Sequence, residues 1–283
     1  MKIIKKILVA LLCVILIGCI FFMAISLNLK KILINGVIKE TIVESVIPKS
    51  YSESGEKVVI TEEQIKEITD DPRIQEILMS PEIQGLMEKY LDTTVNGLID
   101  ENNIDEIALE QDMMNFIKEN RSIIEEKAGK EVTDEMIERA MEQVESKDMS
   151  RAYKQSIMNA SRNMTTTEKE VLRGYRLLIS PEFRIILLVI MVIDLVLIAV
   201  VQGSFYKWIS SLGTSLLISG AGTMAASVIT KKIVAQKTGF NNFDTSSLMQ
   251  TGIIILVSGL IIVIVYNVIS RLIKKKVGKH EVS

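Results

Sequence analysis

Residues 7–29 form an uninterrupted uncharged run, and three further mainly apolar segments, 185–201, 208–230 and 249–269, crowd into the last hundred residues. A hydrocarbon core of about 30 Å takes roughly 20 apolar residues in a helix. The first, second and fourth runs reach or approach that length on composition alone. The third is diluted by Ser, Thr, Gly and Ala, but small residues are common where membrane helices approach closely, so it too reads as a span. Between the first and second runs lie short amphipathic segments at helical spacing, with almost no period-2 alternation. The pattern predicts an all-α integral membrane protein with four transmembrane helices and a helical extracytoplasmic domain inserted between helix 1 and helix 2.

Charge orients these elements, because Lys and Arg accumulate on the cytoplasmic side of span ends. Lys2, Lys5 and Lys6 place the N-terminus inside, and Arg271, Lys274, Lys275, Lys276 and Lys279 place the C-terminus inside. Two ends on one side require an even number of crossings. The expected order is a cytoplasmic N-terminus at 1–6, transmembrane helix 1 at 7–27 as an uncleaved anchor, and the extracytoplasmic domain at 28–183. Transmembrane helix 2 follows at 184–202, a tight inner turn at 203–207, helix 3 at 208–230, an outer loop at 231–248, helix 4 at 249–270 and a basic cytoplasmic tail at 271–283. Lys231, Lys232 and Lys237 run against the charge rule in this order, but three crossings would strand five basic residues outside.

The 28–183 insert holds 20 of the 33 Lys+Arg and 32 of the 35 Asp+Glu, a net of −12, and leaves +10 for the remainder. So acidic a domain argues against nucleic acid as a partner and against lying flat on anionic lipid, whereas the basic ends suit an anionic inner leaflet. The abundant Ile, Lys and Asn, the basic start and the cysteine-free insert point to a bacterial cytoplasmic membrane. Expected partners are the lipid bilayer and an envelope protein or a second copy of the chain.

Cys13 and Cys19, the two cysteines, both fall within the first apolar run, which excludes a disulfide scaffold for the insert. The basic start, apolar core and Leu16-Ile17-Gly18-Cys19 together resemble a bacterial lipoprotein signal, which implies lipidation of Cys19. The apolar run continues through Ile20-Phe21-Phe22-Met23-Ala24-Ile25, however, and its full length favours an uncleaved anchor. Helical spacing persists through Ile32, Leu33, Val37, Ile38, Ile42, Val43, Val46 and Ile47 as far as Pro48. The first helix is therefore expected to extend as a stalk, with its apolar stripe covered by the rest of the insert or by another copy.

Helix-start chemistry recurs through the insert. Thr61-Glu-Glu-Gln64 and Thr167-Glu-Lys-Glu170 match the capping box, and Asp71-Pro72, Ser80-Pro81 and Ser180-Pro181 place a cap residue before Pro at the first helical position. Six or seven short helices are expected. Asp71-Pro-Arg-Ile-Gln-Glu-Ile-Leu78 is echoed nine residues on by Ser80-Pro-Glu-Ile-Gln-Gly-Leu-Met87, and the pair is similar to the Asp-Pro helical repeats of certain co-chaperones. That resemblance covers under twenty residues and implies a groove for amphipathic helices, whereas the capping chemistry itself needs only a helical hairpin core. The Met residues of the insert suit irregular packing or an adaptable surface.

The familiar catalytic sets do not assemble. His280 is the one histidine, which removes His-based triads and paired-His zinc sites, and no nucleophile-elbow or phosphate-loop motif occurs. Asp100-Glu-Asn-Asn-Ile-Asp105 lacks the ligand spacing and central Gly of a calcium loop and reads as an acidic turn. No cofactor is expected. Asp194 stands apart, ten residues into the second span among apolar neighbours, near the bilayer midplane, where an ionised carboxylate costs about 2.5–3.5 kcal/mol on insertion scales. On the third span Ser211, Ser215, Ser219, Thr223 and Ser227 recur every fourth residue, with Gly220, Gly222 and Ala226 nearby. Asp194, Ser215, Ser219 and Thr223 are the candidate ligand or ion-binding residues, with a hydrogen-bonded clamp between helices as the structural expectation. The leading functional expectation is a non-enzymatic membrane-anchored interaction protein. The alternative is a component of an ion or small-solute transporter or channel that uses Asp194.

Overall fold

The structure, a computed structural model, describes residues 2–45, 80–104, 109–128, 131, 133–135, 137, 149–203, 207–238 and 243–280. The capping box at Thr61, the cap at Asp71, the first copy of the Asp-Pro echo and the expected loop at 51–57 lie outside the described residues. Nine helices are present among those described: α1 (Lys2–Ser45), α2 (Pro81–Ile99), α3 (Leu109–Glu119), α4 (Arg121–Ala128), α5 (Met149–Asn163), α6 (Thr166–Ile179), α7 (Pro181–Gln202), α8 (Lys207–Thr238) and α9 (Ser246–His280). The chain divides into two compact units, one of Met1–Ile32 with Leu178–Ser283 and the other of Leu33–Leu177.

Four helices of the first unit are long and apolar enough to cross a membrane, over Ile3–Asn35, Pro181–Gln202, Lys207–Gln236 and Ser246–Leu272. The chain is thus a multi-pass membrane protein. α1 runs unbroken through the expected stalk to Ser45, and α8 continues past its expected span end to Thr238. α7 has clear boundaries: the Ser180 hydroxyl accepts from the Phe183 N–H at 3.1 Å with Pro181 at the first position, and Gly203 closes the other end at φ 61°. That left-handed turn suits a residue without Cβ. Along α7 only Leu187, Asp194 and Ile198 are buried, while Ile185, Val189, Ile193 and Val200 face outward.

Glycines decide how α8 and α9 pack. Gly213 and Gly220 on α8 are seven residues apart, as are Gly252 and Gly259 on α9, and the four meet along one antiparallel seam. A Cβ added to Gly220 would lie 2.6 Å from the Leu256 backbone nitrogen, and one on Gly259 would lie 2.8 Å from the Leu217 nitrogen and 2.9 Å from the Gly213 oxygen. A Cβ on Gly252 would lie 3.0 Å from the Met224 nitrogen and 3.1 Å from the Gly220 oxygen. The next heptad position continues the register, since the Ser227 hydroxyl donates to Thr245 at 3.1 Å to its carbonyl and 3.0 Å to its hydroxyl. Seven-residue spacing keeps one stripe facing its partner, and small residues on that stripe let backbones touch.

α1 completes this unit. Leu12, Leu16 and Ile20 join Ile198 in one apolar cluster, covered by Met191, Leu195, Leu212, Leu216 and Ile255 from the other three spans. Towards Asn28 the contacts become polar. The Ser26 hydroxyl donates to the Leu178 carbonyl at 2.6 Å, Arg184 donates to both the Ser26 hydroxyl and its carbonyl at 2.9 Å, and the Asn28 amide donates to the Thr251 hydroxyl at 2.9 Å.

The second unit is helical throughout its described elements. Tyr90 and Tyr153 stack edge to face at 5.8 Å between α2 and α5. The Ser161 hydroxyl donates to the Leu98 carbonyl at 3.0 Å. Gly97, part of an Asn-Gly pair within a helix as its surroundings suggest, admits Ile104 and Ile157 to within 2.7 Å of where a Cβ would stand. The Asp112 carboxylate is partly buried, which opposes ionisation, but the Lys89 ammonium at 2.6 Å and the Tyr90 hydroxyl at 2.6 Å outweigh this and hold the carboxyl below its usual range. Ser80 caps α2, and Asp100 closes it into a turn where its carboxylate accepts from the Asn102 N–H.

The capping box before α6 sits two residues earlier than its expected place. Thr165 is the cap, with its N–H donating to Glu168 at 2.7 Å and its hydroxyl accepting from the Glu168 N–H at 3.3 Å. Both frames satisfy the motif, but the earlier one leaves Glu170 free to pair with Arg173 one turn on.

The seam predicts its own sensitivity. Gly220→Ala is expected to destabilise the detergent-solubilised protein by about 1–3 kcal/mol through overpacking against backbone. Gly222→Ala, whose Cβ would meet only the Phe21 ring at 3.7 Å, is expected to leave the melting temperature unchanged or raise it. Comparison of the two melting curves is the check.

Candidate functional site

Asp194 is the charged side chain that the apolar pattern leaves unexplained, and its surroundings are built by three helices. It sits on the inward face of α7, one turn before Ile198, and is 2 % exposed. Cys19 of α1, buried and free, lies within electrostatic range. α8 meets the apolar cluster that includes Ile198 through Leu212 and Leu216, which flank Ser215 in the chain. Among the described residues, both Asp194 oxygens lack a hydrogen-bond partner, as does the Ser215 hydroxyl.

Ser215, Ser219, Thr223 and Ser227 are all buried, as the candidate stripe requires. Their partners, however, are distributed among three helices. Ser211 accepts from the Gln202 amide at 2.9 Å, Ser219 donates to the Ile17 carbonyl of α1 at 2.8 Å, and Thr223 donates back to the Ser219 carbonyl at 2.8 Å. Ser227 turns to Thr245, next to α9. Four residues advance about 400° on a helix of 3.6 residues per turn, so the stripe drifts by about 40° per step. Across its length it passes from the α7 side to the α1 side and then to the α9 side. Ser219 and Thr223 thus bond to carbonyls, and the hydrogen-bonded clamp to Asp194 is not formed.

Several polar contacts elsewhere in this unit escape a reading of the sequence. Ser26, Arg184, Asn28 and Thr251 join helices more than 150 positions apart, and no local pattern pairs them. Gly252 and Gly259 sit in runs of Ile, Val and Leu where a single Gly attracts little notice. Their seven-residue spacing, matched by Gly213 and Gly220, is the signal that could have found them.

Among the described residues no group of three or more His, Cys, Asp or Glu side chains is placed to hold a metal. No family model, curated protein or solved structure matches the chain.

Cys19, the residue of the lipoprotein resemblance, is in mid-helix and 7 % exposed. Cleavage before it would remove Leu12 and Leu16 from the apolar cluster and the Ile17 carbonyl from Ser219. The intact mass of the protein from membranes is therefore expected to include residues 12–18 and an unmodified Cys19. A species that begins at Cys19 and carries a diacylglycerol would contradict this.

Proposed function

We propose that this chain is a non-enzymatic membrane-anchored interaction protein that presents an acidic helical unit to an envelope partner or to a second copy of itself. Four helices hold it in a bacterial cytoplasmic membrane, with both termini cytoplasmic and the inserted unit extracytoplasmic. The observation that carries this reading is the separate compact unit of Leu33–Leu177, which lies in the chain between the first and second apolar helices. An insert attached to spans at both ends is constrained twice, where a tethered tail would be constrained once. The net charge of −13 over Leu33–Leu177 gives it a surface suited to a basic or polar partner.

Cross-linking of the full chain in native membranes, followed by peptide mass mapping, is expected to place partner links within residues 33–177. Removal of that segment is expected to abolish co-purification, and retention of every partner would overturn the reading.

A second reading, supported by the unpartnered Asp194 carboxylate, is a transport role for protons, cations or small solutes. It requires that Asp194→Asn abolish flux in reconstituted vesicles while the fold survives. A purely structural Asp194 would instead show lowered stability with partner binding retained.

A further inference from the structure

Burial without a partner defines the state of Asp194. An ionised carboxylate in the hydrocarbon zone needs a counter-charge, donors, water or a cation. Among the described residues, no side chain hydrogen-bonds to it and no cation pairs with it. α1 presents the Cys19 thiol as its titratable group, α8 presents the hydroxyls of Ser219 and Thr223, which donate to carbonyls, and α9 contributes Ile255 to the same core. The described charges on these helices, Lys5, Lys6, Lys30, Lys31, Glu182, Arg184, Lys207, Lys231, Lys232 and Arg271, flank the uncharged runs of the four helices. A metal cation fits the inventory poorly, because a hard ion such as Ca²⁺ takes about six to eight oxygens. Asp194 supplies two unpartnered oxygens, far short of such a set. A proton needs one.

We propose that Asp194 is a proton-binding site: a carboxylic acid kept neutral among α1, α7 and α8, which binds and releases its proton as the solution pH changes. Protonation removes the charge and turns one carboxyl oxygen into a donor, leaving the apolar cluster of Leu16, Ile20 and Ile198 intact beside it. Release of the proton creates a charge that this packing does not solvate, so the ionised form draws water between α1 and α7. The site holds whether or not the inserted unit binds a partner.

Infrared difference spectroscopy on the full chain in maltoside micelles, which lack ester carbonyls, reads this directly. Native minus Asp194→Asn is expected to show the carbonyl stretch of one protonated carboxyl per chain at neutral pH. The band should shift on exchange into D₂O and give way to carboxylate bands as pH rises. Asp194→Glu is expected to retain a protonated band. If Asp194→Asn does not fold, the pH titration of the native chain supplies the same band. Carboxylate bands alone at neutral pH would overturn the proposal. So would replacement of the protonated band by carboxylate on addition of sodium at constant pH, which would identify a cation site. Loss of partner cross-links with this band intact would count against the interaction role alone.

Discussion

Backbone contact between α8 and α9 is the constraint on which the membrane unit depends. At Gly220 and Gly259 the helices approach until a single methyl group would collide with main-chain atoms, and at Gly213 and Gly252 until it would press on the facing side chains. In lipid there is little hydrophobic drive for helices to associate, so contact area and hydrogen bonds must supply it. The heptad glycine seam supplies the first, and Ser227 with Thr245 supplies the second while fixing the register. Once these two helices are locked, the α8 faces that carry Ser219 and Leu216 are oriented for α1 and α7.

Architecture was largely legible in the sequence because the bilayer imposes a length and a polarity rule that few residues break. Ser180-Pro181 and Ser80-Pro81 marked helix starts through chemistry confined to four residues, and both caps form as written. The ambiguity at Thr165 and Thr167 came from two overlapping frames of one motif, which only an ion pair one turn further on separates. The hydroxyl stripe was visible as a spacing, but its drift around α8 distributes its members among three neighbours. Which hydroxyl meets which helix depends on the rotation of α8, and the glycine seam sets that rotation.

Asp194 illustrates the same limit and its exception. Its burial was predictable from the cost of charge in hydrocarbon. Its lack of partners was not, because Ser219 and Thr223 lie at a suitable depth and are turned elsewhere by their own bonds to Ile17 and Ser219. An apolar residue at this position would remove two unpaired oxygens from the core, so retaining the carboxyl lowers stability. Groups that reduce stability while remaining fully buried are concentrated at functional sites.

Long-range bonds to α1 also impose an order in time. Ser26 is completed by Leu178 and Arg184, the Ile17 carbonyl by Ser219, and the Asn28 amide by Thr251, separations of 152, 158, 202 and 223 residues. During synthesis α1 enters the bilayer first and finds its last partner only when α9 has emerged. Ser26 and the Ile17 carbonyl are completed earlier, by Leu178, Arg184 and Ser219, so a chain stopped before Thr251 leaves the Asn28 bond to that hydroxyl unmade. The final span thus adds the longest-range of these bonds to a helix already held by the two spans before it.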